Sequence, residues 1–278
     1  MDNQSGLNEI ALFAVAGGGI LGGNLLGWRT VCAVEWEQYP ASVLCARQND
    51  KILPPFPIWD DVQTFDGKPW RGIVDVVSGG FPCQDISAAG RGAGIDGERS
   101  SMWKHMARII GEVRPRYAFV ENSPMLTSRG LGVVLADLST MGFDAKWGVV
   151  SAADVGANHQ RERIWIRAEQ RNFLSHAEHN GDGRRQQQSE GTQETIGVAN
   201  TSCKRLQRFG NSRINDESIS KQEFFWGGFD SGSNAWWQIE PNISRVADGV
   251  AARVDRLKAI GNGQVPGVAA TAFEILSK

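Results

Sequence analysis

Long apolar runs are absent from this sequence, and so is an excess of basic charge. No apolar stretch approaches the roughly 20 residues that a transmembrane helix needs, and the first residues lack the basic start and apolar centre of a secretion signal. The 29 Lys and Arg residues against 31 Asp and Glu give a net charge of −2. The basic balance typical of nucleic-acid-binding proteins is therefore missing, although a local basic cleft is compatible with it. These absences predict a cytoplasmic protein without membrane contact.

Cysteine is also scarce, with 4 residues in 278. The spacings of Cys32, Cys45, Cys83 and Cys203 match neither a zinc site nor a disulfide framework. We therefore expect no bound metal and interpret three of these cysteines as incidental thiols. Cys83 differs from them because of the residues that surround it.

Short apolar runs alternate with helical patterns over residues 8–168. The clearest helical pattern runs from Ser100 to Val113, where the apolar residues share one face. Strands that alternate with helices predict an α/β fold, in which helices cover both faces of a mainly parallel sheet. The predicted strands lie at 10–15, 30–36, 73–78, 117–121, 147–151 and 163–167.

The composition changes at about residue 172. Residues 173–235 are rich in Asn, Ser, Gly, Gln and Arg and poor in apolar residues, which is typical of a surface insertion. A DNA-reading segment is the functional alternative. Helical periodicity returns over 246–260, and the segment from Val265 to Leu276 predicts a closing helix.

The first chemical signal is the run SGGFPCQ at residues 78–84, directly after a predicted strand. In an open α/β sheet, ligands bind beyond the carboxyl ends of the strands, so a cysteine at this place is positioned to meet a substrate. Glycines let the backbone approach a ligand closely, and Pro82 stiffens the turn that carries the thiol. These residues make Cys83 a candidate nucleophile.

Two further signals involve charged side chains near strand ends. Glu121 and Asn122 end a predicted strand, where a carboxyl group would act beside the thiol as an acid; a solvated carboxylate or a helix cap is the alternative. Arg161 and Arg163 lie in the run HQRERIW, and alternation along a strand would put both guanidinium groups on one face. They would then bind a phosphate or a carbonyl oxygen, the alternative being a surface strand with an ion pair to Glu162.

Taken in order, Phe-Pro-Cys-Gln, Glu-Asn, Arg-x-Arg and a Gly-Asn near the C-terminus resemble the motifs of the cytosine-5 DNA methyltransferase family. The resemblance covers residues 9–168 and 253–276. It implies a Rossmann-like methyltransferase domain at 1–172, a small irregular target-recognition region at 173–245, and a C-terminal segment at 246–278 that returns to the catalytic domain. It also implies a monomer acting on double-stranded DNA, with a restriction enzyme of the same system as a potential partner.

The resemblance implies that a methyl group passes from S-adenosylmethionine to carbon 5 of a cytosine flipped out of the duplex. Cys83 would attack carbon 6 of the ring as a thiolate, while Glu121 would hold the ring nitrogen edge and supply or share a proton. Arg163 would bind the carbonyl oxygen of the base, and Arg161 would support the site or contact phosphate. The residues that would hold the catalytic loops are Gln84 and Asn122.

The same resemblance assigns the methyl-donor site to the first strands. Glu35 would accept hydrogen bonds from the ribose hydroxyls, Trp36 would stack near the adenine, and Asp61 would bind the adenine amino group. The glycine loop after the first strand would let the donor lie against the backbone. The other residues expected at the donor are Phe13, Ala14, Gly17, Gly18, Pro82, Asn262 and Gly263, with Arg256 as a support.

Several positions depart from the family pattern. Ala11 replaces an acidic residue at the start of the glycine loop, and Val15 replaces a glycine, which would strain the backbone if this position has a positive φ. Asn158, His159 and Ser123 replace a proline, a glutamine and a valine. None of these changes removes a group of the core chemistry, but Ala11 and Val15 would weaken donor binding.

Three other functions stay open at this point. A DNA-binding relative with weak or no catalysis would keep the fold, and an RNA cytosine-5 methyltransferase would keep the motifs. A nicotinamide-dependent oxidoreductase would share the glycine loop, although no residue here has an evident role in hydride transfer.

Overall fold

The computed structural model describes residues 6–82, 102–171 and 253–278. The strands in these residues are β1 (Asn8–Leu12), β2 (Arg29–Val34), β3 (Ile58–Trp59), β4 (Val76–Gly80), β5 (Tyr117–Asn122), β6 (Phe143–Val150) and β7 (Arg163–Gln170). The helices are α1 (Gly18–Leu25), α2 (Gln38–Asn49), α3 (Met102–Val113), α4 (Leu126–Arg129), α5 (Leu131–Thr140), α6 (Arg253–Asn262) and α7 (Pro266–Ser277), with short 3-10 turns at Lys68–Trp70 and Ala153–Val155.

Among the described residues, seven strands form one sheet in the order β3-β2-β1-β4-β5-β7-β6. The five strands from β3 to β5 are parallel, whereas β7 runs antiparallel to both β5 and β6. The predicted mainly parallel sheet is confirmed. Because β7 runs in the opposite direction, its first residues lie beside the carboxyl end of β5, with Asn122 opposite Ile164.

Helices cover both faces of this sheet, as predicted. On one face, α3 and α5 pack against the strands; Val77 of β4 and Ala118 of β5 lie in the same cluster. On the other face, α7 packs against Val76 and Tyr117 of the same strands, and α1 and α2 cover the β1–β2 end. The predicted apolar face of α3 is buried through Trp103, Met106, Ile109, Ile110 and Val113.

Several element boundaries differ from the prediction, each for a local reason. β1 ends at Leu12 because Phe13 and Val15 have left-handed φ values of 52° and 49°, which an extended strand does not allow. β6 begins at Phe143, earlier than predicted, since exposed polar residues interrupt the apolar pattern of this edge strand. The described part of α6 runs through Gly261 to Asn262, whereas residues 246–252 of the predicted helix lie outside the described residues.

The two-residue strand β3 was not predicted from the sequence, because it is too short to show any periodicity. In the described ranges, no helix combines the length and apolarity that crossing a membrane would take.

Candidate functional site

A small cavity lies where the carboxyl ends of β1, β4 and β5 meet the turn between α6 and α7. The backbone of the turn after β1 forms one wall, and the two glycines that end β4 form another. Glu121 of β5 also lines the cavity. The lining residues are Ala11, Leu12, Phe13, Ala14, Val15, Gly19, Ile20, Ser78, Gly79, Gly80, Glu121, Asn262 and Gln264.

Glu121 is a buried carboxyl group held from both sides. The residue is only 8% exposed, and its Oε1 lies 2.9 Å from Nε of Arg163. Nε2 of Gln264 approaches Oε2 at 3.5 Å. Burial raises the pKa of Glu121 above its ordinary value, while Arg163, Arg161 and Gln264 oppose that rise. The alternative of a solvated carboxylate is therefore wrong, and the group is suited to exchanging a proton with a ligand in the cavity.

Arg163 forms an ion pair with this carboxyl group. As the first residue of β7, it lies beside the end of β5 because the two strands are antiparallel. Its Nη1 donates a hydrogen bond of 2.8 Å to the backbone carbonyl of Glu162, which leaves Nε for Glu121. The alternative of a surface strand whose arginine pairs with the Glu162 carboxylate is wrong.

Arg161 does not follow the alternation argument used to predict it. It precedes β7, and its φ of 39° is left-handed, so the period of two along a strand does not apply. Its guanidinium group donates to the carbonyl of Gly261 at 2.7 Å and also to the carbonyl of Gly263. Arg161 thus holds the turn that follows α6 against the site.

Asn122 ties β5 to the chain that leads to the predicted nucleophile. This buried residue donates from Nδ2 to the carbonyl of Phe81 at 3.0 Å, and its Oδ1 accepts the N–H of Ser123. Pro82 follows Phe81 and is exposed. Of the residues predicted on this loop, Cys83 and Gln84 lie outside the described residues.

Two of the other three cysteines lie in the described residues. Cys32 is buried and Cys45 is exposed, and both are free thiols. Cys203 lies outside the described residues.

The turn after β1 is strained at the position where the family has glycine. Val15 has a positive φ of 49°. The backbone is therefore strained here, because a β-branched residue is rarely found in this region. Its N–H donates a hydrogen bond of 2.7 Å to Oε2 of Glu35, and this bond holds the turn against the end of β2.

Glu35 is buried beyond the end of β2, and both of its oxygens are engaged. Oε1 accepts the N–H of Glu37 at 2.7 Å and Oε2 that of Val15; burial raises the pKa of this carboxyl group. Each carboxylate oxygen has two lone pairs, so hydroxyl donors can still bind. The next residue, Trp36, is 73% exposed.

The predicted donor residues do not all line the cavity. Phe13, Ala14 and Asn262 line it. Asp61 lies on the loop after β3, where its Oδ1 accepts the N–H of Gln63, and Arg256 is exposed on α6. The predicted donor residues outside the lining are Gly17, Gly18, Glu35, Trp36, Asp61, Pro82 and Gly263.

Gln264 is a residue of the site that the sequence analysis did not select. A Cβ atom at Gly18 would lie 2.1 Å from the Gln264 carbonyl oxygen, and one at Gly19 would lie 2.5 Å from its Oε1. The glutamine therefore fills the space that two glycines leave open. Its position directly after Gly-Asn-Gly was the available signal, but a contact with residues so far away in the sequence has no local pattern.

Comparison with known proteins identifies the family. Residues 7–266 match the family described as C-5 cytosine-specific DNA methylase. The type II methyltransferase M.NgoBI of Neisseria gonorrhoeae is 32% identical over 161 residues, which are 56% of this chain and 49% of that protein. M.CviJI of Paramecium bursaria Chlorella virus IL3A is 32% identical over 117 residues, covering 42% of this chain and 32% of that protein.

The fold is similar to that of a solved methyltransferase structure. The solved structure of the Entamoeba histolytica methyltransferase EhMeth superposes with a TM-score of 0.51 at 16% identity, over 70% of this chain and 62% of that one. The matches span less than half the length of the two curated relatives. Since the family match extends over most of the residues, the chain belongs to the C-5 cytosine-specific DNA methylase family.

Proposed function

We propose that this chain transfers a methyl group from S-adenosylmethionine to carbon 5 of a flipped-out cytosine in duplex DNA, through a covalent bond between Cys83 and carbon 6. One observation carries the proposal: a buried carboxyl group, paired with Arg163 at 2.9 Å, lines a cavity beside the strand end that leads to Cys83. Family membership supports the same reaction.

S-adenosylmethionine fits the residues around this cavity. The wall after β1 is largely backbone, and Gly79 and Gly80 leave space beside Glu121. Glu35 retains acceptor capacity for ribose hydroxyls, and the exposed ring of Trp36 offers a stacking surface. When bound, the donor supplies an electrophilic methyl group.

The chain's own residues would activate the base. The Cys83 sulfur would form a bond to carbon 6, and the electron pair of the carbon 5–carbon 6 double bond would shift to the bond between carbons 4 and 5, with charge developing on the adjacent ring nitrogen. Glu121 supplies or shares a proton at the ring nitrogen, so negative charge does not build up there, and Arg163 binds the carbonyl oxygen of the base. Carbon 5 would take the methyl group as the methyl–sulfur bond of the donor breaks, which leaves the demethylated donor as a neutral thioether. Loss of the carbon 5 proton to solvent would then restore the double bond and expel the Cys83 thiolate, while the proton at the ring nitrogen returns to Glu121.

The setting of the reaction belongs to the same proposal. The target-recognition region at 173–245 would read the DNA, between a catalytic domain at 1–172 and a C-terminal segment at 246–278. We expect a monomer in the cytoplasm of a bacterium or a phage-infected cell. Restriction-modification is the expected context, because the curated relatives are named type II methyltransferases.

Transfer of tritium from labelled S-adenosylmethionine to unmethylated duplex DNA tests the proposal. We expect the full chain to label DNA and Cys83→Ser to abolish labelling while donor binding persists. Cys45→Ser is the matched control, because Cys45 is an exposed thiol on α2. Unchanged labelling by Cys83→Ser would refute the role of the thiol. Labelling of transfer RNA but not of duplex DNA would instead identify an RNA methyltransferase.

A further inference from the structure

Gln264 connects three parts of the site that are distant in the sequence. It lies in the turn between α6 and α7, and its backbone lies against Gly18 at the start of α1. Its side-chain oxygen lies against Gly19, and its side-chain nitrogen points at Oε2 of Glu121 from 3.5 Å. The glutamine is partly buried and lines the cavity together with Glu121.

The absence of side chains around Gln264 is what allows this arrangement. A Cβ atom at Gly80 would lie 2.3 Å from Oε2 of Glu121 and 3.2 Å from Nε2 of Gln264. A Cβ atom at Gly19 would lie 2.5 Å from Oε1 of Gln264. All three distances are shorter than an ordinary van der Waals contact of 3.4–4 Å, so the side-chain amide and the carboxyl group occupy space that only glycine can provide.

The two oxygens of Glu121 therefore have two different partners. Arg163 binds Oε1 at 2.9 Å and is itself held by the start of β7. The other oxygen faces the Gln264 amide alone among the neutral donors described here. The 3.5 Å separation is long for a hydrogen bond, and such bonds in catalytic sites shorten when a ligand binds.

We propose that Gln264 is a positioning residue for Glu121: its side-chain amide, held against Gly18 and Gly19 at the start of α1, fixes the orientation of the carboxyl group toward the cavity. The inference rests on the proposed function for the reaction that Glu121 performs. The chain that leads into α1 also forms a wall of the cavity. A donor bound against this wall and the Glu121 carboxyl group would therefore be positioned by neighbouring residues.

The pH dependence of turnover separates positioning from simple structural support. The amide donor favours the charged form of Glu121 and so opposes the rise of its pKa. If Glu121 supplies a proton, turnover falls as the pH rises through its pKa. Gln264→Met keeps the length of the side chain but removes the donor, so the alkaline limb of kcat should move to higher pH, with kcat roughly tenfold lower at its optimum.

A second variant should produce the same effect from the other side of the contact. Gly19→Ala would place a Cβ atom against Oε1 of Gln264 and displace the amide from Glu121. At saturating donor we expect the same alkaline shift, and the double variant should be no worse than either single variant, because both remove one interaction. Gln48→Met is the matched control: it removes an amide hydrogen bond to the N–H of Phe56 at the far end of α2.

Carbon-13 NMR of the labelled glutamate carboxyl groups in the full chain gives a readout that needs no catalysis. The Glu121 signal, assigned with Glu121→Gln, should titrate at higher pH in Gln264→Met than in the unmodified chain and should not move in Gln48→Met. An unchanged titration would overturn the positioning role even if the chain proves not to methylate DNA. Methylation by the unmodified chain, with coincident pH profiles for Gln264→Met, would overturn it while leaving the proposed function intact.

Discussion

Glu9 is a fully buried carboxyl group in the middle of the sheet. It lies on β1, where Oγ of Ser78 donates to it at 2.5 Å from β4 and Oγ1 of Thr30 at 2.8 Å from β2. Desolvation raises its pKa from 4.5 to about 7, although both hydroxyl groups oppose the rise. Glu9 could not be selected from the sequence, since one acidic side chain before an apolar run resembles the polar start of a strand.

Replacing Glu9 with Gln should change how stability depends on pH. A carboxyl pKa that is higher in the folded state stabilises the fold fully below the unfolded value near 4.5, and this contribution is lost as the pH rises through about 7. The shift corresponds to roughly 3 kcal/mol. We would measure the free energy of unfolding with urea at pH 5 and at pH 8. Between these pH values it should fall further for the unmodified chain than for Glu9→Gln.

The control for this comparison is Glu274→Gln, which changes an exposed glutamate on α7. It should follow the unmodified chain at both pH values. Equal losses of stability in Glu9→Gln and in the unmodified chain would show that Glu9 does not titrate in this range.

For single residues, the family resemblance drew attention to the backbone at Val15, whereas local sequence patterns did not predict the hydrogen-bond partners of Arg161 or the contacts of Gln264. Strain at Val15 was expected only if this position has a positive φ, and the structure meets that condition with a φ of 49°. The partners of Arg161 did not follow, since the carbonyls of Gly261 and Gly263 lie about a hundred residues further along the chain. The role of Gln264 was missed for the same reason.

Among the elements, α3 anchors the loop after β3. Nη1 of Arg108 donates to the carbonyl of Phe65 and Nη2 to that of Val62, both at 2.9 Å. Glu112, one turn further along the helix, pairs with Arg108 and accepts the N–H of Gly67 at 2.8 Å. The same loop contains Asp61, the residue that the family resemblance assigns to the adenine amino group.

Removing this anchor should loosen the loop without unfolding the sheet. Arg108→Ala leaves several backbone carbonyls without their donor, so we expect faster hydrogen exchange over residues 61–67 and roughly tenfold weaker binding of S-adenosylmethionine, measured by calorimetry. Arg47→Ala is the control, because the side chain of Arg47 makes an exposed ion pair with Asp50, of a kind that contributes little. Unchanged exchange over 61–67 in Arg108→Ala would contradict the anchoring role.

Elements were predictable where the periodicity was strong and their context ordinary. The buried face of α3 was correct because five apolar residues recur at helical spacing. The start of β6 was not, because Asp144 and Lys146 interrupt the apolar run on which the prediction relied, although their alternation with apolar residues is itself typical of a strand with one solvated face. Strand direction was also beyond the pattern: only pairing shows that β7 is antiparallel and so brings Arg163 to Glu121.

For the whole molecule, the C-terminal helix joins the end of the chain to its beginning. Phe273 of α7 makes edge-on contacts with Trp28 at 4.7 Å, Phe119 at 5.2 Å and Tyr117 at 5.5 Å between ring centroids. The guanidinium group of Arg167, from β7, lies over the same ring. A return of the C-terminal segment to the sheet was predicted from the family resemblance, but the aromatic cluster that holds it was not.

Truncating Phe273 should therefore destabilise the molecule as one unit. Phe273→Ala opens a cavity among side chains from before β2, from β5 and from β7, and we expect a loss of about 3–5 kcal/mol in the free energy of unfolding. Phe273→Leu fills most of that volume and should lose much less. If hydrogen exchange in Phe273→Ala accelerated only in α7, while β1 and β5 kept their protection, the helix would be a separable appendage. Because its ring contacts a residue just before β2 and residues of β5 and β7 on one face of the sheet, we expect exchange in α7, β1 and β5 to accelerate together.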